Sequence, residues 1–482
     1  MNLTHRLRVQ ARIRPDAPAV VCGAAIDGVA ENRVYTYGEL DRVVDAIALR
    51  AATWGAGPGE HVAILVRAHL PLLLLRLGLA RAGVPFAGAT FDGDPSIRVQ
   101  LPEAGASPDG RTLTAAPGWW SLASGSEAPM APGGEALLKR QATSGTTGTA
   151  KLVPVTHAMY AARWGRTIGL PLPDDVRLLC VSGPGGLGFG YALSVFEAGG
   201  TVVLLGPDDD ALTLVERHSV NVLVLSPYAI GQTLARRPTG AKPPSLEHVV
   251  LSGSRLTREL LRSASERVCD RIVCMYGSTE IGPIAAGAAA AMPDTDGATG
   301  FLLADIDVQA IDERGAVLPP GRVGRLRMRG PGMAREYWRD PEATARQFVA
   351  GWFYPNDVGA VTQDRTLVIQ GRADDLINVG GSKFAPETFE EVLLRVPGVV
   401  DAAVFGVPDA LGKHRVHAAV VTSGEIDLAA IEAAFRSAHG LPAPAVVLRV
   451  PGLPRTAQGK LNRAALVHYV RTVVDPGARR GS

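Results

Sequence analysis

The stretch TSGTTGTAK, Thr143–Lys151, places hydroxyl side chains, two glycines and a lysine within nine residues. Glycine lets the backbone approach a ligand closely, and consecutive amide groups can form an anion-binding concavity. Hydroxyl groups add hydrogen-bond donors, and the lysine adds a positive charge. Clusters of Ser, Thr and Gly are also common in plain loops between core segments. The composition therefore leaves two interpretations open, a polyphosphate-binding loop and a polar connection.

This stretch differs from the P-loop of the common nucleotidases. That motif has a glycine directly before its lysine and a serine or threonine directly after it. Here Ala150 precedes Lys151 and Leu152 follows it. Any nucleotide chemistry of this loop must therefore be of another kind.

The bulk composition is that of an ordinary soluble globular chain. Its 482 residues are 46% hydrophobic and 20% charged, with a formal net charge of +2. A net charge this close to zero gives no indication that the chain binds nucleic acid or an anionic membrane surface. No uncharged run approaches the ~20 residues of a membrane span. The four cysteines are scattered, which argues against a disulfide framework or a zinc site, and we expect a cytoplasmic protein.

Strands and helices alternate along most of the chain, which predicts an α/β fold with a mostly parallel sheet. His61–Val66 reads as a strand and Leu70–Ala82 as a helix, whereas 92–134 is expected to be irregular. A helix is predicted over Val155–Arg166, and Ser182–Gly190 (SGPGGLGFG) is predicted to be a glycine-rich turn. From Ile306 onward, short alternating runs predict antiparallel strands, and the tail carries its own strand–helix–strand pattern.

Four stretches, read together, resemble the adenylate-forming superfamily. They are Thr143–Lys151, YGSTE at Tyr276–Glu280, the run NDVGAV to NVGG at Asn356–Gly381, and PRTAQGK at Pro454–Lys460. This superfamily contains acyl-CoA synthetases, adenylation domains of peptide synthetases and luciferases, and the chain looks most like free-standing acyl-CoA ligases. The resemblance spans essentially the whole sequence.

The resemblance implies a large N-terminal domain of helix-flanked β-sheets with a small β-barrel-like subdomain, over residues 1–372. A small mobile α+β domain over 373–482 would follow, with its hinge at Asp374. It implies two reactions on a small carboxylic acid. ATP and Mg²⁺ would convert the acid to an acyl-adenylate, and a thiol, that of coenzyme A or of a carrier protein's phosphopantetheine, would then take the acyl group.

The resemblance also assigns roles to individual residues. The phosphates would be cradled by Thr143, Ser144, Gly145, Thr146, Thr147, Gly148 and Lys151. The adenine and its surroundings would be contacted by Ser252, Gly253, Ser254, Tyr276, Gly277 and Ser278. Thr279 would bind the α-phosphate, and Glu280 would hold Mg²⁺ through oxygen. Asp357 would accept both ribose hydroxyls, and Arg372 would bind the same ribose or the phosphates.

Lys460 would be the catalytic cation, because it would offset the charge that builds up as carboxylate and α-phosphate meet. Rotation about Asp374 would withdraw it and bring Gly380 and Gly381 to a thiol tunnel. The acyl pocket is expected to include Phe189, Tyr228 and Arg255, and Arg255 is also typical of a surface arginine. Ser182–Gly190 lacks an aromatic–histidine pair found in many relatives, and Asn378 replaces a common lysine, for which Lys383 is a candidate substitute.

Two other functions stay open on the sequence alone. The chain fits a free-standing adenylation enzyme that loads a carrier protein, since such a sequence would look almost the same. A non-catalytic nucleotide- or acyl-binding protein on the same scaffold is disfavoured by the presence of Glu280, Asp357, Arg372 and Lys460.

Overall fold

A computed structural model supplies the fold. It describes residues 1–23, 32–54, 61–88, 97–100, 112–120, 127–143, 151–164, 173–237, 240–253, 256, 258–293, 297–379, 382–408, 414–424, 427–437, 444–455 and 460–474. Helices and strands alternate within these ranges, as the sequence predicts. The helices are α1 (His5–Ile13), α2 (Tyr37–Ala51), α3 (His69–Ala82), α4 (His157–Trp164), α5 (Gly186–Ala198), α6 (Ala211–Arg217), α7 (Pro227–Arg236), α8 (Arg258–Arg267), α9 (Pro341–Gln347), α10 (Pro386–Leu394), α11 (Leu428–Ser437) and α12 (Arg463–Tyr469).

The strands are short and run through the whole chain. They are β1 (Pro18–Cys22), β2 (Arg33–Thr36), β3 (Val62–Ile64), β4 (Phe86–Gly88), β5 (Ile97–Gln100), β6 (Thr112–Thr114), β7 (Leu137–Ala142), β8 (Leu152–Thr156), β9 (Arg177–Cys180), β10 (Thr201–Leu204), β11 (Val222–Leu225), β12 (His248–Ser252), β13 (Ile272–Ser278), β14 (Gly282–Ala288), β15 (Ala298–Leu302), β16 (Asp307–Ile311), β17 (Gly324–Arg329), β18 (Phe348–Val349), β19 (Trp352–Phe353), β20 (Asp357–Val361), β21 (Thr366–Arg372), β22 (Ile377–Val379), β23 (Ser382–Phe384), β24 (Val399–Pro408), β25 (His414–Thr422) and β26 (Val446–Arg449).

The largest sheet joins a parallel half to an antiparallel half. Its strand order is β18-β19-β17-β20-β21-β15-β14-β13-β12-β11-β9-β10-β1-β2, and β16 pairs with β17. Strands β13, β12, β11, β9, β10 and β1 run parallel, and their buried runs of Val, Leu and Ile fit a sheet covered on both faces. The antiparallel strands predicted from Ile306 onward extend this sheet through the β21–β15 pair.

A second, six-stranded sheet has the order β6-β5-β3-β4-β7-β8. The expectation of an irregular segment over 92–134 is wrong at two of its described stretches. Strands β5 and β6 lie there, because Ile97–Gln100 pairs in parallel with β3 and Thr112–Thr114 pairs with β5. Both strands have only three or four residues, so tertiary pairing rather than a local pattern defines them.

Helix α2 begins with a complete capping box. Thr36 accepts from the Glu39 amide, and the Glu39 carboxylate accepts from the Thr36 amide. An N-cap of this kind typically contributes about 0.5–2 kcal/mol. Helix α3 lies next to α2 and confirms the helix predicted over Leu70–Ala82, with Gly83 ending it in the left-handed region at φ +70°.

Three further expectations need correction. The segment from Leu152 to Thr156 is strand β8, paired with β7, so the helix predicted from Val155 begins only at His157. The glycine-rich turn is half as long as expected, because α5 already begins at Gly186. Helix α7 was not anticipated; its Ser226 cap and Pro227 at the first turn are start signals that the sequence carried.

The C-terminal domain has its own core on both faces of a three-stranded sheet, β24-β25-β26. Side chains alternate across β24, so Ala402 and Val404 pack toward α10 and α11, while Ala403 and Phe405 pack toward α12. The hydrophobic clusters of the large domain include residues up to Ile369, and those of the C-terminal domain begin at Ile377. No helix among the described residues is long and apolar enough to cross a membrane.

Candidate active site

The β20–β21 hairpin places Asp357 directly opposite Arg372. Asp357 is buried, and its Oδ1 lies 3.8 Å from an Arg372 guanidinium nitrogen, while its Oδ2 accepts a hydrogen bond from the Tyr276 hydroxyl. Burial raises the pKa of the Asp357 carboxyl, and Arg372, the Tyr276 hydrogen bond and Lys460 oppose that rise. The hairpin therefore presents a carboxylate and a guanidinium side by side, as a ribose site requires.

Lys460, from the C-terminal domain, lies within electrostatic range of the same residues. Burial, followed by Arg372, lowers the pKa of its ammonium group, while Asp357 and Glu280 raise it. The catalytic role of Lys460 stays a prediction.

Glu280 follows β13 and belongs to a hydrogen-bonded chain that ends at Lys151. The Tyr337 hydroxyl lies 2.7 Å from both Glu280 Oε1 and Gln347 Oε1, and Lys151 Nζ donates to Gln347 Oε1 at 2.7 Å. Gln347 is fixed in turn, because its Nε2 donates to the Tyr354 carbonyl. This chain links the predicted metal residue to the lysine that ends the Thr143–Lys151 stretch.

The backbone of Thr279 and Glu280 is held by a buried arginine from α4. Arg163 donates to the Thr279 carbonyl at 3.1 Å, to the Glu280 carbonyl at 2.8 Å and to the Gly332 carbonyl at 2.8 Å. Sequence reasoning missed Arg163, Tyr337 and Gln347. Each acts through a partner distant in sequence, and no local pattern marks such contacts.

The ends of the Thr143–Lys151 stretch are tied together. The Thr143 amide donates to the Lys151 carbonyl at 2.8 Å, and the Lys151 amide donates to Thr143 Oγ1 at 3.2 Å. The predicted phosphate residues Ser144, Gly145, Thr146, Thr147 and Gly148 lie outside the described residues, as do Ser254, Arg255, Gly380 and Gly381. Their roles stay predictions.

Residues predicted to contact adenine lie at the ends of neighbouring parallel strands. Ser252 ends β12 opposite Met275, and Gly253 follows with φ +108° and no described atom within 4 Å of where a Cβ would be. Gly277 has a different reason to be glycine, because a Cβ there would lie 2.6 Å from the Gly282 carbonyl oxygen. Ser278 Oγ accepts from the Ile281 amide at 3.2 Å and so shapes the turn before Glu280.

Two residues predicted to line the acyl pocket occupy contrasting places. Phe189 is fully buried, packed edge-on against Phe86, and so has no exposed face. Tyr228 lies on α7 and is 39% exposed, and the Arg455 guanidinium carbon lies 4.6 Å from the centre of its ring. Tyr228 thus contacts the C-terminal domain, and the pocket roles of both residues stay predictions.

Asp374 lies in sequence between the hydrophobic clusters of the large domain and those of the C-terminal domain. Its Oδ2 accepts from Asn356 Nδ2 at 3.0 Å and lies 3.8 Å from an Arg372 nitrogen. The Ala373 amide donates to the Asn356 carbonyl at 2.7 Å. The role of Asp374 as a hinge stays a prediction.

The donor set around Glu280 suits a hard cation that shares phosphate oxygens. Among the described residues, hydrogen bonds to its side chain use Oε1, which leaves Oε2 for a metal ion. No group of three or more His, Cys, Asp or Glu that could hold a metal lies within the described part of the chain. The role of Glu280 in binding Mg²⁺ stays a prediction.

Comparisons with known proteins define the class. Residues 89–338 match the AMP-binding enzyme family, and residues 388–460 match the C-terminal domain of AMP-binding enzymes. The chain therefore belongs to the AMP-binding enzyme family. This assignment confirms the predicted superfamily and the predicted class of enzyme, an AMP-forming ligase of the acyl-CoA synthetase type.

Particular relatives agree with this class. The chain is 32% identical to enterobactin synthase component E of Escherichia coli (strain K12) over 353 residues, which cover 68% of this chain and 64% of that protein. It is 30% identical to a feruloyl-CoA synthase of an Amycolatopsis species, over 94% of this chain and 96% of the relative. ATP-bound MatB from Rhodopseudomonas palustris has the same fold, with a TM-score of 0.84, 24% identity and coverage of 98% of this chain and 100% of that one.

Proposed function

We propose that this chain joins a carboxylic acid to ATP and passes the resulting acyl group to the thiol of coenzyme A. The observation that carries the proposal is the pairing of Asp357 with Arg372 on one hairpin, with Lys460 of the C-terminal domain in electrostatic range of Asp357. A cation near a nucleotide-binding carboxylate and guanidinium is an arrangement that supports adenylation.

In the first step a carboxylate oxygen attacks the α-phosphorus of ATP, and the bond from that phosphorus to pyrophosphate breaks. Two anions approach each other, so Lys460 would stabilise the transition state by neutralising the developing charge. Thr279 would hydrogen-bond the α-phosphate from a backbone position that Arg163 fixes. Mg²⁺, held by Glu280 and the phosphates, would supply further charge neutralisation.

In the second step the sulfur of the thiol attacks the carbonyl carbon of the acyl-adenylate, AMP leaves, and the thiol proton is released. Lys460 would serve the first step and leave the site before the second, so the C-terminal domain would move between the steps. We place the domain boundary after Arg372, with residues 1–372 and 373–482 as the two bodies and Asp374 as the hinge. Gly380 and Gly381 would line the path of the thiol.

A pyrophosphate-release screen over a panel of carboxylic acids tests the first step. We expect release that depends on the acid, on ATP and on Mg²⁺, and formation of AMP and an acyl thioester once coenzyme A is added. Release that no acid in the panel stimulates would overturn the proposal.

The acyl acceptor needs its own comparison. Turnover with coenzyme A and with a phosphopantetheinylated carrier protein should be measured side by side on the same acid. Thioester formation on the carrier alone would replace coenzyme A with a carrier protein as the partner.

A further inference from the structure

Two buried cations lie beside the glycine-rich turn. Lys139, on β7, is 3% exposed; its Nζ donates to Gln141 Oε1 at 3.0 Å and lies 4.5 Å from the centre of the Tyr160 ring. Arg76, on α3, is 7% exposed and donates to the carbonyls of Pro184 and Gly185 at 2.8 and 2.6 Å. Neither cation forms an ion pair with a carboxylate in the described part of the chain.

Such a pair of cations is costly to bury. A buried charge is normally paired with an opposite charge, and aromatic faces and amide oxygens compensate it only in part. Both cations lie 5.8 Å from the centre of the Phe189 ring, so their repulsion adds to the loss of hydration. Burial, followed by Arg76 and Arg163, lowers the pKa of Lys139 well below its usual value. Arg76 Nε is also buried without a hydrogen-bond partner.

Two glycines of the turn have no close contact with described atoms at the position of a side chain. A Cβ at Gly183, Gly188 or Gly190 would lie 2.2 Å or less from neighbouring atoms, so close packing explains those glycines. Among the described residues, a Cβ at Gly185 would meet the Ser182 carbonyl oxygen at 3.8 Å, and one at Gly186 would meet the Gln141 amide at 3.5 Å or more. The side-chain position at Gly186 therefore borders Gln141, whose Oε1 accepts a hydrogen bond from Lys139 Nζ.

We propose that Lys139 is a specificity-determining residue that binds a second anionic group on the carboxylic acid substrate, with Gln141 as its positioning residue and Arg76 as supporting charge. The substrate class is then acids that carry a second carboxylate or an acidic hydroxyl group. This inference rests on the proposed function and deepens it. An anion that enters the space at Gly185 and Gly186 supplies the opposite charge that the folded chain lacks there.

The test compares matched acids in the pyrophosphate-release assay. An aromatic monocarboxylate is paired with its ortho-hydroxy and its second-carboxylate analogues, and kcat/KM is measured for each. We expect the wild type to prefer one of the two substituted acids, and the better analogue identifies the second group. In Lys139→Met the ratio of kcat/KM between substituted and plain acid should fall about 10- to 100-fold, since an anionic partner would lose its charged hydrogen bond.

Lys242→Met is the matched control, because Lys242 is a surface lysine paired with Asp270 at 2.6 Å, and it should leave the ratio unchanged. A wild type that prefers the plain acid, or a ratio that Lys139→Met does not alter, would overturn this inference and leave the proposed function intact. Absence of release with every acid would instead overturn the proposed function, and this inference with it.

A measurement on the wild type covers the case in which the variant fails to fold. Calorimetry of acid binding in two buffers of different ionisation enthalpy reports proton uptake. The charged or titratable groups that face Lys139 are Arg76, Arg163 and Tyr160, none of them acidic at neutral pH. A second anionic group should therefore favour the charged form of Lys139, so proton exchange on binding should differ increasingly between substituted and plain acids as the pH is raised. Equal exchange for both acids at every pH would contradict the proposal.

Discussion

Two clusters of charged side chains are built in opposite ways. The nucleotide cluster mixes signs, because Asp357 and Glu280 lie among Arg372 and Lys460. The acyl cluster, Arg76 and Lys139, has cations over aromatic rings and no acidic partner among the described residues. In a cluster of mixed sign, the charges compensate one another before the substrate binds. A cluster of one sign favours the binding of a ligand with the opposite charge.

The largest effect should come from the cation that the C-terminal domain brings to the nucleotide cluster. Lys460→Ala should slow adenylate formation about 10²- to 10³-fold, because the charge on the meeting anions is no longer offset. Thioester formation from preformed adenylate should be nearly unchanged. Single-turnover measurements of the two steps check this, with Lys242→Ala as the control, and equal loss in both steps would contradict the two-position mechanism.

A smaller effect is expected from the carboxylate of the same cluster. Asp357→Asn should raise the KM for ATP about 10- to 100-fold, since hydrogen bonds to a charged group are lost. Tyr276→Phe removes only the hydroxyl that donates to Asp357 and should cost less. A Tyr276→Phe variant as impaired as Asp357→Asn would mean that the hydroxyl, rather than the carboxylate, binds the ribose.

The acyl cluster should respond to charge removal with increased stability. Replacing the unpaired Lys139 by methionine should stabilise the ligand-free fold by about 1–3 kcal/mol, seen as a higher unfolding midpoint. The folded pKa of Lys139 lies below its unfolded value, so the unfolded chain binds more protons and wild-type stability should rise with pH. The gain in Lys139→Met should therefore shrink toward alkaline pH, and a gain that is constant with pH would argue against an unpaired cation.

The smallest effect should come from the contact between Tyr228 and Arg455. An exposed cation–π contact is worth about 0.5–1 kcal/mol. Tyr228→Leu should therefore slow the first step about two- to fivefold by weakening the docked position of the C-terminal domain. Arg455 keeps its ion pair with Asp401 at 2.7 Å in this variant, so the domain itself should stay folded, which circular dichroism checks. A larger loss in the second step would place this contact in the other domain position.

The sequence predicted the class of fold correctly, and it marked the candidate nucleotide residues for a physical reason. In the four stretches, the glycines, hydroxyl groups and charged residues come directly after strands or turns. A local sequence pattern therefore marks the residues whose chemistry suits a nucleotide. Asp357 and Arg372, for example, are separated by a short hairpin whose alternation is visible in the sequence.

The sequence did not predict the supports of that cluster or the acyl cluster. Arg163 lies 117 residues from Glu280, and Tyr337 lies 57 residues from it, so neither contact has a local signature. Lys139 was predicted only as part of a strand. Tertiary packing decides which side chains of α3 and α4 lie near Lys139 on β7. The lack of an acidic partner among the described residues therefore has no local signature in the sequence.

The β20–β21 hairpin has a consequence for the timing of catalysis. Asp357 and Arg372 face each other across it, and the chain leaves the end of β21 toward Asp374. A sugar bridging the two side chains would stiffen the strand from which the C-terminal domain pivots. Departure of AMP would remove this bridge between the two side chains. Release of the product would therefore also free the C-terminal domain to return to its starting position.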